Sequence, residues 1–441
     1  MNISSIQKSP TVPARQEKTN IYLGAYFLLS LASWLLTNKA AGIASVWVGA
    51  QSFGDFAVSL RLSHNLAHLF VMGQEATILM YLSKYHDKPH KQSGLIRWIV
   101  RSTLTKTTIL LSLVSLFILI PALNSSLSTI GINIAFHYWV GFLCIPFVVI
   151  SGIYERFFLF MQSFFTSFLS RGIYQPILFI STIFILQNYT SPSATMALSL
   201  YALTYALSAA IYAIQGYFCE FSISDEYDLS DKKEWRLSGL YYTFSTLIIK
   251  SSPSIALFFL ESIGTNELSV GYFSAILYLI YGFHLLTKPF DSYLKPAIAN
   301  LYALGEVAAL QRKVNYINKI RWIIIAGLLT TIVIGGKTLL AQYGETYSNS
   351  YYPLITISFL SAIQYMGQPA NELLNYTGFQ KKLSFIMAIQ FFFIAALSKL
   401  LIPVFDLWGA VFAQGLPCVI ATFVSATTLR RNTKIKAYIL F

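Results

Sequence analysis

Long apolar runs, separated by short polar intervals, recur along the whole chain. Most of these runs are about 20 residues long, the length that an α-helix needs to cross the hydrocarbon core of a bilayer. The pattern predicts an all-α integral membrane protein. The twelve predicted spans are 21–45, 52–72, 100–123, 137–160, 166–187, 195–218, 237–260, 270–290, 317–335, 352–374, 383–404 and 408–429.

Lysine and arginine are distributed unevenly among the polar intervals. Starting at the N-terminus, every second interval is basic, with 24 Lys and Arg in all, whereas the intervals between them hold only Lys39, Lys337 and Lys399. Cytoplasmic loops of membrane proteins carry such an excess of positive charge. Adding or removing one helix would invert every later loop, so the split supports twelve spans. Both termini are predicted to be cytoplasmic.

One acidic, strongly polar interval at 219–235 lies at the midpoint of the chain and predicts a cytoplasmic linker between two six-helix lobes. A short repeat supports two related lobes, because GDFAVSLRL at 54–62 resembles GYFSAILYL at 271–279. Parallel repeats of this kind occur in transporters that rock about a central site. The predicted organisation is a cytoplasmic segment 1–20, a lobe 21–218, the linker 219–235, a lobe 236–431 and a cytoplasmic tail 432–441.

Composition excludes several classes of protein. Only 11% of the residues are charged and 55% are hydrophobic, against about 25% charged in soluble domains. The net charge of +13 is dispersed between the spans, so no nucleic-acid partner is expected. The three cysteines are far apart, and no metal, nucleotide or nucleophile motif occurs, so we expect no cofactor and no enzymatic activity. A membrane glycosyltransferase or acyltransferase would need a sizeable outer loop, which the sequence lacks.

Predicted helix two carries the densest polar pattern within a span. Arg61, His64 and His68 fall within one 60° sector and form a stripe about 10 Å long. A cation near the bilayer centre costs about 2.5–3.5 kcal/mol, so such a stripe favours a water-filled cavity. The alternatives are that Arg61 snorkels or pairs with Asp55, and that the histidines bond neighbouring helices. If transport is ion-coupled, His64 or Asp55 is the predicted site.

Two further sets of candidates lie on predicted helices seven and ten. Lys250 stands mid-span, just before Pro253, which removes a backbone donor and predicts a kink. Lys106 and Lys288 lie near cytoplasmic span ends and are interpreted as interface anchors. An amide ridge on helix ten is predicted either to contact sugars or to hold helices together. It consists of Gln364, Gln368, Asn371 and Asn375.

Several segments resemble the polysaccharide transporter, or O-antigen flippase, branch of the multidrug/oligosaccharidyl-lipid/polysaccharide (MOP) flippase superfamily. The similar segments are VGAQSFGDFAVSLRL (48–62), ESIGTNELSVGYFSAILYL (261–279), KPAIANLYALGEVAALQRK (295–313), LLNYTGFQKKLSFIMAIQ (373–390) and LLIPVFDLWGAVFAQGL (400–416). The resemblance implies a MATE-like fold with two six-helix lobes around a central cavity. It also implies alternating access. One departure is Tyr278, which occupies the place in the second repeat that Arg61 occupies in the first.

The resemblance further implies a flippase of the bacterial inner membrane that moves an undecaprenyl-pyrophosphate-linked oligosaccharide to the outer leaflet. Lipid II flippases have two further helices, so an O-antigen, capsule or related glycan unit is the expected cargo. The expected partners are this lipid-linked oligosaccharide, membrane lipids and glycan polymerase machinery. A cation-coupled multidrug extruder of the same superfamily is the alternative, and an acidic rather than basic lumen would distinguish it.

Overall fold

The computed structural model describes residues 12–71, 74–85, 88–119, 135–161, 164–218 and 226–437. These residues are almost entirely helical and include no β-strand. The α-helices, numbered in chain order, are α1 Val12–Val48, α2 Ala50–Val71, α3 Gln74–Lys84, α4 Pro89–Leu119, α5 Phe136–Phe142, α6 Cys144–Phe160, α7 Phe164–Leu169, α8 Gln175–Leu186, α9 Ala194–Phe218, α10 Lys232–Ser251, α11 Ile255–Ile263, α12 Glu267–Ala303, α13 Val307–Ala341, α14 Tyr351–Gly367, α15 Pro369–Tyr376, α16 Gln380–Phe405 and α17 Leu407–Thr433. The all-α fold class predicted from the sequence is confirmed.

Nine helical segments in the described part of the chain are long and apolar enough to cross a membrane, and they coincide with nine predicted spans. The other three predicted spans are 52–72, 237–260 and 352–374. The first is α2, which carries the Arg61 stripe; the second and third are each built from two shorter helices. Every candidate site residue lies within or directly after one of these three segments. The total of twelve spans therefore stays a prediction.

Helical structure also extends into intervals that the sequence predicted to be loops. Helix α3 and the first turns of α4 fall between predicted helices two and three, and α10 begins at Lys232, inside the predicted linker. These segments are too polar to cross a membrane, but they bury aromatic side chains. Trp235 is completely buried in a small cluster with Tyr81, Tyr85 and neighbouring aliphatic residues. The division into lobes stays a prediction, and 219–225 lies outside the described residues.

The two halves of the chain pack against each other along α2 and α12. Gly54 of α2 and Gly271 of α12 are equivalent in the repeat, and a Cβ on Gly54 would lie 3.1 Å from the Gly271 nitrogen. A Cβ on Gly271 would collide with the carbonyl of Ala50. Small residues allow helix backbones to approach this closely. Equivalent residues contact each other where they lie close to a two-fold axis that relates two halves.

Helix α1 and the α13–α14 connection strengthen this seam at the predicted outer end. Nearer the middle of the spans, Trp34 of α1 donates from Nε1 to the Leu279 carbonyl of α12 at 3.2 Å. Ser45 donates from Oγ to the Tyr343 carbonyl at 2.8 Å, and the Tyr343 hydroxyl donates to Asn38 at 2.9 Å. The halves are therefore in contact at this end.

Helix α13 is much longer than predicted span 317–335, and one of its cations is not in a loop. Arg321, one of the 24 cations counted as cytoplasmic and placed at the start of that span, is 0% exposed and pairs with Asp291 of α12. Its second terminal nitrogen donates to the Tyr365 carbonyl at 2.9 Å. Pairing and hydrogen bonding of this kind are what make a buried guanidinium tolerable. At the other terminus, Gln311 bonds both backbone groups of Lys436, which docks the tail on α13.

Candidate functional site between the two halves

Arg61 reaches from the first half of the chain towards the second. Its guanidinium carbon lies 5.7 Å from the ring centroid of Tyr278 on α12, a cation–π distance. Arg61 and Tyr278 occupy equivalent positions in the two repeats, and the two side chains contact each other across the seam. Nε of Arg61 is buried without a hydrogen-bond partner among the described residues. Arg61 is half-buried and makes no described ion pair with Asp55.

His64 is held within the first half. Its Nδ1 lies 2.8 Å from the Leu60 carbonyl and its Nε2 lies 3.2 Å from the hydroxyl of Tyr205 on α9. A carbonyl only accepts, so in the neutral ring Nδ1 carries the hydrogen and Nε2 accepts from Tyr205. This is the interhelical bonding that the sequence left open as an alternative. His68 is half-buried in the last turn of α2, within electrostatic range of His64.

Lys250 lies in the last turn of α10, immediately before the 3₁₀ turn Ser252–Ser254. The hydroxyl of Ser252 donates to the Ile248 carbonyl at 2.8 Å, next to the position where Pro253 supplies no backbone donor. The side chain of Lys250 is exposed, and it acts electrostatically on Glu155 and His284. The predicted change in helix geometry is present, and Lys250 lies within electrostatic range of groups from both halves.

A group of charged side chains that the sequence did not predict as a site lies next to Lys250. Glu155 of α6 lies 3.7 Å from the Lys288 ammonium of α12 and 3.3 Å from the Arg171 guanidinium. Arg171 belongs to the π-helical turn Ser170–Tyr174, a type of irregularity that is frequent at functional sites. The interpretation of Lys288 as an interface anchor is therefore wrong, because its ammonium pairs with the other half of the protein. Arg171, at the start of predicted span 166–187, was counted only as one of the 24 cytoplasmic cations, since hydropathy carries no information about partners.

Aromatic side chains of the second half face the same space. Tyr281 is 45% exposed although it lies in the middle of the longest contact between the halves. The ring centroids of Tyr281 and His284 are 5.5 Å apart, and those of His284 and Tyr365 are 6.3 Å apart. Tyr281 is the repeat equivalent of His64. At two equivalent positions, the second half thus has the tyrosines Tyr278 and Tyr281 where the first half has Arg61 and His64.

The amide ridge follows the junction between α14 and α15. Helix α14 ends at Gly367 and α15 begins at Pro369, so Gln368 occupies the break. All four amides are half-buried, and Oδ1 of Asn371 is buried without a hydrogen-bond partner among the described residues. Neighbouring Glu372 pairs with Lys295 of α12 at 3.3 Å. Contact of Gln364, Gln368, Asn371 and Asn375 with sugars stays a prediction.

Asp55 lies in a different space from Arg61. It lines a cavity of about 140 Å³ near the predicted outer end of α2 and α12. Gln51 and Glu267, from the two halves, are hydrogen-bonded there. The lining residues are Gln51, Asp55, Leu260, Glu261, Gly264, Asn266, Glu267 and Val270.

The charge of the space between the halves is positive on balance. Within the described ranges, Arg171, Lys250 and Lys288 share one carboxylate, Glu155, and Arg61 lies against Tyr278, whereas Lys295 has its own partner in Glu372. Among the residues with described positions, no group of three His, Cys, Asp or Glu side chains is placed to hold a metal ion. The arrangement is suited to attracting an anion, with aromatic surface beside it.

Comparison with solved structures defines the class of fold. An inward-facing multidrug resistance MATE family transporter of the MOP superfamily matches with a TM-score of 0.68 and 14% identity, over 92% of this chain and 99% of that chain. The outward-facing conformation of a multidrug resistance MATE transporter gives 0.62 and 16%, over 94% and 95%. A MOP superfamily transporter from Pyrococcus furiosus, whose binding pocket has a reverse polarity that suggests a different function, gives 0.64 and 15%, over 94% and 95%.

No protein-family model and no curated protein matches the chain. At such low identities the structural similarity establishes the fold, which is that of MATE family transporters of the MOP superfamily. The resemblance drawn from the sequence is confirmed at that level. Assignment to the O-antigen flippase branch stays a prediction.

Proposed function

We propose that the protein is a flippase for a polyprenyl-diphosphate-linked oligosaccharide and works by alternating access. The observation that carries the proposal is the excess of cations between the halves: Lys288 and Arg171 pair with one carboxylate, Glu155, on which Lys250 also acts electrostatically, while Arg61 contacts Tyr278 across the seam. Arginine and lysine in such a site bind phosphate through charge-assisted hydrogen bonds. The cargo is taken to be a bacterial surface glycan unit, as the sequence resemblance implies.

The physical task of a flippase is to remove the desolvation barrier of the headgroup. An isolated charge transferred to a low-dielectric medium carries a penalty of many kcal/mol, which no single contact offsets. A polar path lined by an excess of cations lowers this barrier, while the polyprenyl tail stays in lipid between the halves. Tyr281, His284 and the amide ridge would provide surfaces for the sugars. No bond is made or broken, so no catalytic residue is needed.

Alternating access is supported by the arrangement of contacts. The halves touch at the predicted outer end through Gly54 and Gly271 and through the bonds from α1 to the α13–α14 connection. The cation group lies further along α2 and α12, on the predicted cytoplasmic side of this seam. In the proposed cycle, the headgroup enters beneath the seam, and opening of the seam then exposes it to the other face.

A cation-coupled multidrug extruder is the second candidate, and one specific observation favours it. Asp55, Glu261 and Glu267 line the same small cavity at the predicted outer end, and carboxylates suit both organic cations and coupling ions. The deeper space has the opposite charge, however, and would repel a cationic drug. The MOP superfamily transporter from Pyrococcus furiosus has a similar fold, and the reverse polarity of its binding pocket suggests a different function for that protein. By analogy, the basic space in this protein supports a cargo other than a cationic drug.

The decisive experiment is transport by the purified full-length chain in proteoliposomes. We expect a polyprenyl diphosphate carrying a short labelled oligosaccharide to exchange between leaflets, measured as label that an external glycosidase can remove. Protein-free vesicles provide the control. Ethidium uptake driven by a proton or sodium gradient tests the second candidate in the same vesicles. Ethidium transport without glycolipid exchange would overturn the proposal.

A further inference from the structure

A second basic site lies apart from the group around Arg61 and Glu155, where α4 of the first half faces the start of α10. It is a cavity of about 370 Å³, within the ~300–1,000 Å³ range that is usual for ligand sites. Its lining includes four cations but neither Asp nor Glu. The lining residues are Gln74, Trp98, Arg101, Ser102, Thr105, Lys106, Lys232 and Arg236.

Helical periodicity separates the charges on α10. Lys232 and Arg236 are four residues apart and share the face that lines this cavity. Asp231 and Glu234 do not line the cavity and pair instead with Lys91 at 2.7 Å and Lys84 at 3.1 Å. The acidic residues of the segment are thus engaged elsewhere. None of the four cavity cations makes an ion pair with a carboxylate in the part of the chain that the structure describes.

The wall formed by α4 is a single stripe with the spacing of a helix face, from Trp98 through Arg101 to Lys106. Gln74 is buried at the floor of the pocket. Its side-chain amide donates to the Ser102 hydroxyl at 3.1 Å and accepts a hydrogen bond from the Thr103 hydroxyl at 2.9 Å. Because Ser102 accepts this bond, its own hydroxyl hydrogen remains available to a ligand oxygen. The site is therefore a built pocket with donors already in place.

Apolar side chains on the same two helices are exposed beside the pocket. On α4, Val100 and Leu104 are 47% and 54% exposed, and Leu237 and Leu240 on α10 are also exposed. A soluble anion would make no use of such a surface, whereas the acyl chains of a lipid would cover it. Basic pockets between helices at a membrane surface recognise anionic lipid headgroups.

We propose that the pocket bounded by Arg101, Lys106, Lys232 and Arg236 binds an anionic phospholipid whose headgroup carries two phosphates. The lipid bridges α4 of the first half and α10 of the second, beside the ion pairs of Asp231 and Glu234. A bridging lipid stabilises the arrangement of the halves in which the pocket exists. This role is independent of which cargo the central space carries.

The test is native mass spectrometry of the full chain in mild detergent, titrated separately with cardiolipin, phosphatidylglycerol and phosphatidylethanolamine. We expect one saturable site with the affinity order cardiolipin, phosphatidylglycerol, phosphatidylethanolamine. The Arg101→Gln/Arg236→Gln double variant should bind cardiolipin roughly thirtyfold more weakly, since each basic residue near a charged membrane surface contributes about 1 kcal/mol. The matched control is Arg312→Gln/Lys319→Gln, which removes two exposed cations of α13 outside the pocket and should not change binding.

Two further measurements separate lipid binding from misfolding of the variant and from binding of a soluble anion. The charge-preserving variant Arg101→Lys/Arg236→Lys should retain most of the cardiolipin binding, because a folded pocket with the same charge is kept. Inorganic pyrophosphate should fail to displace cardiolipin at equal concentration. Unchanged binding in the Arg101→Gln/Arg236→Gln variant, or displacement by pyrophosphate alone, would overturn the proposal.

Discussion

Two residues on predicted helix two illustrate how differently single polar side chains can behave within a span. Arg61 and His64 are one turn apart, but Arg61 extends to Tyr278 in the second half whereas His64 is bonded to Leu60 and Tyr205 within the first. Both ring nitrogens of His64 have partners, so a coupling proton could bind Nε2 only if the Tyr205 hydroxyl reversed its role and accepted the hydrogen bond. Arg61, whose Nε has no hydrogen-bond partner among the described residues, is the better candidate for contact with cargo.

Replacement of Arg61 tests this assignment directly. Arg61→Ala should reduce glycolipid exchange about ten- to hundredfold, since one hydrogen bond to a charged group contributes about 1.5–3 kcal/mol. Arg61→Lys should retain part of the activity because the charge is kept. Protein abundance in the membrane should stay near that of the wild type. The control is Arg312→Ala, an exposed arginine of α13, and equal activity of the Arg61→Ala and control variants would exclude Arg61 from the cargo site.

Glu155 allows a ligand-dependent test at the same scale. Glu155→Gln leaves Lys288 and Arg171 without their carboxylate and should destabilise the protein by about 1–2 kcal/mol, a value reduced by the part exposure of both cations. Inorganic pyrophosphate should restore stability in this variant more than in the wild type, because it replaces the lost negative charge. Thermal unfolding with and without pyrophosphate measures both effects. A purely structural role would show the loss without the selective rescue.

At the scale of elements, predicted helix seven joins the two halves. Its first part, α10, packs on α2 and α3 of the first half and also on α16 of the second, whereas α11 packs mainly on α16 and α17, and the 3₁₀ turn at Ser252–Ser254 lies between them. At the start of α10, Asp231 accepts hydrogen bonds from Lys91 and from the Tyr85 hydroxyl, both at 2.7 Å. The Tyr85 oxygen in turn accepts from the buried indole of Trp235. This latch attaches the start of helix seven to the first half.

The latch has a defined pH dependence. The hydrogen bond from Lys91, with that from Tyr85, lowers the pKa of Asp231 from 3.8 to about 2. Because the folded-state pKa is the lower one, the latch contributes fully above about pH 4, and it loses this contribution as the pH falls towards 2. The Asp231→Asn variant should therefore unfold at a lower temperature than the wild type at pH 6, with a smaller difference at pH 3. A difference that grows on acidification would contradict the assignment.

At the scale of the whole molecule, the seam between the halves at the predicted outer end must open and close if access alternates. Gln51 and Glu267 are hydrogen-bonded across it, next to the close approach of Gly54 and Gly271. The repeat-equivalent glycines permit this approach, since a side chain on Gly271 would meet the carbonyl of Ala50. Opening of the seam would therefore have to break the Gln51–Glu267 hydrogen bond and separate Gly54 from Gly271.

A disulfide across the seam tests this movement. The Gln51→Cys/Glu267→Cys variant, made in a chain whose native cysteines are replaced by serine, should form a disulfide under mild oxidation and lose glycolipid exchange. Reduction should restore exchange, because only the movement has been blocked. Each single cysteine variant serves as a control and should be insensitive to oxidation. Full activity of the cross-linked protein would mean that this seam does not open during transport.

Sequence alone determined that lipid is the solvent of this protein, that its structure is helical, and that Arg61 and Lys250 are polar groups within apolar stretches. These properties are local, since a run of apolar residues and a cation inside it are visible without knowing any neighbour. Only the tertiary structure decided that Lys288 and Arg171 share Glu155, that Arg321 is buried against Asp291, and that His64 is bonded within its own half. Each of these contacts depends on which helices are neighbours, because an ion pair or hydrogen bond requires two groups to be close in space. The hydropathy of a sequence carries no information about that distance.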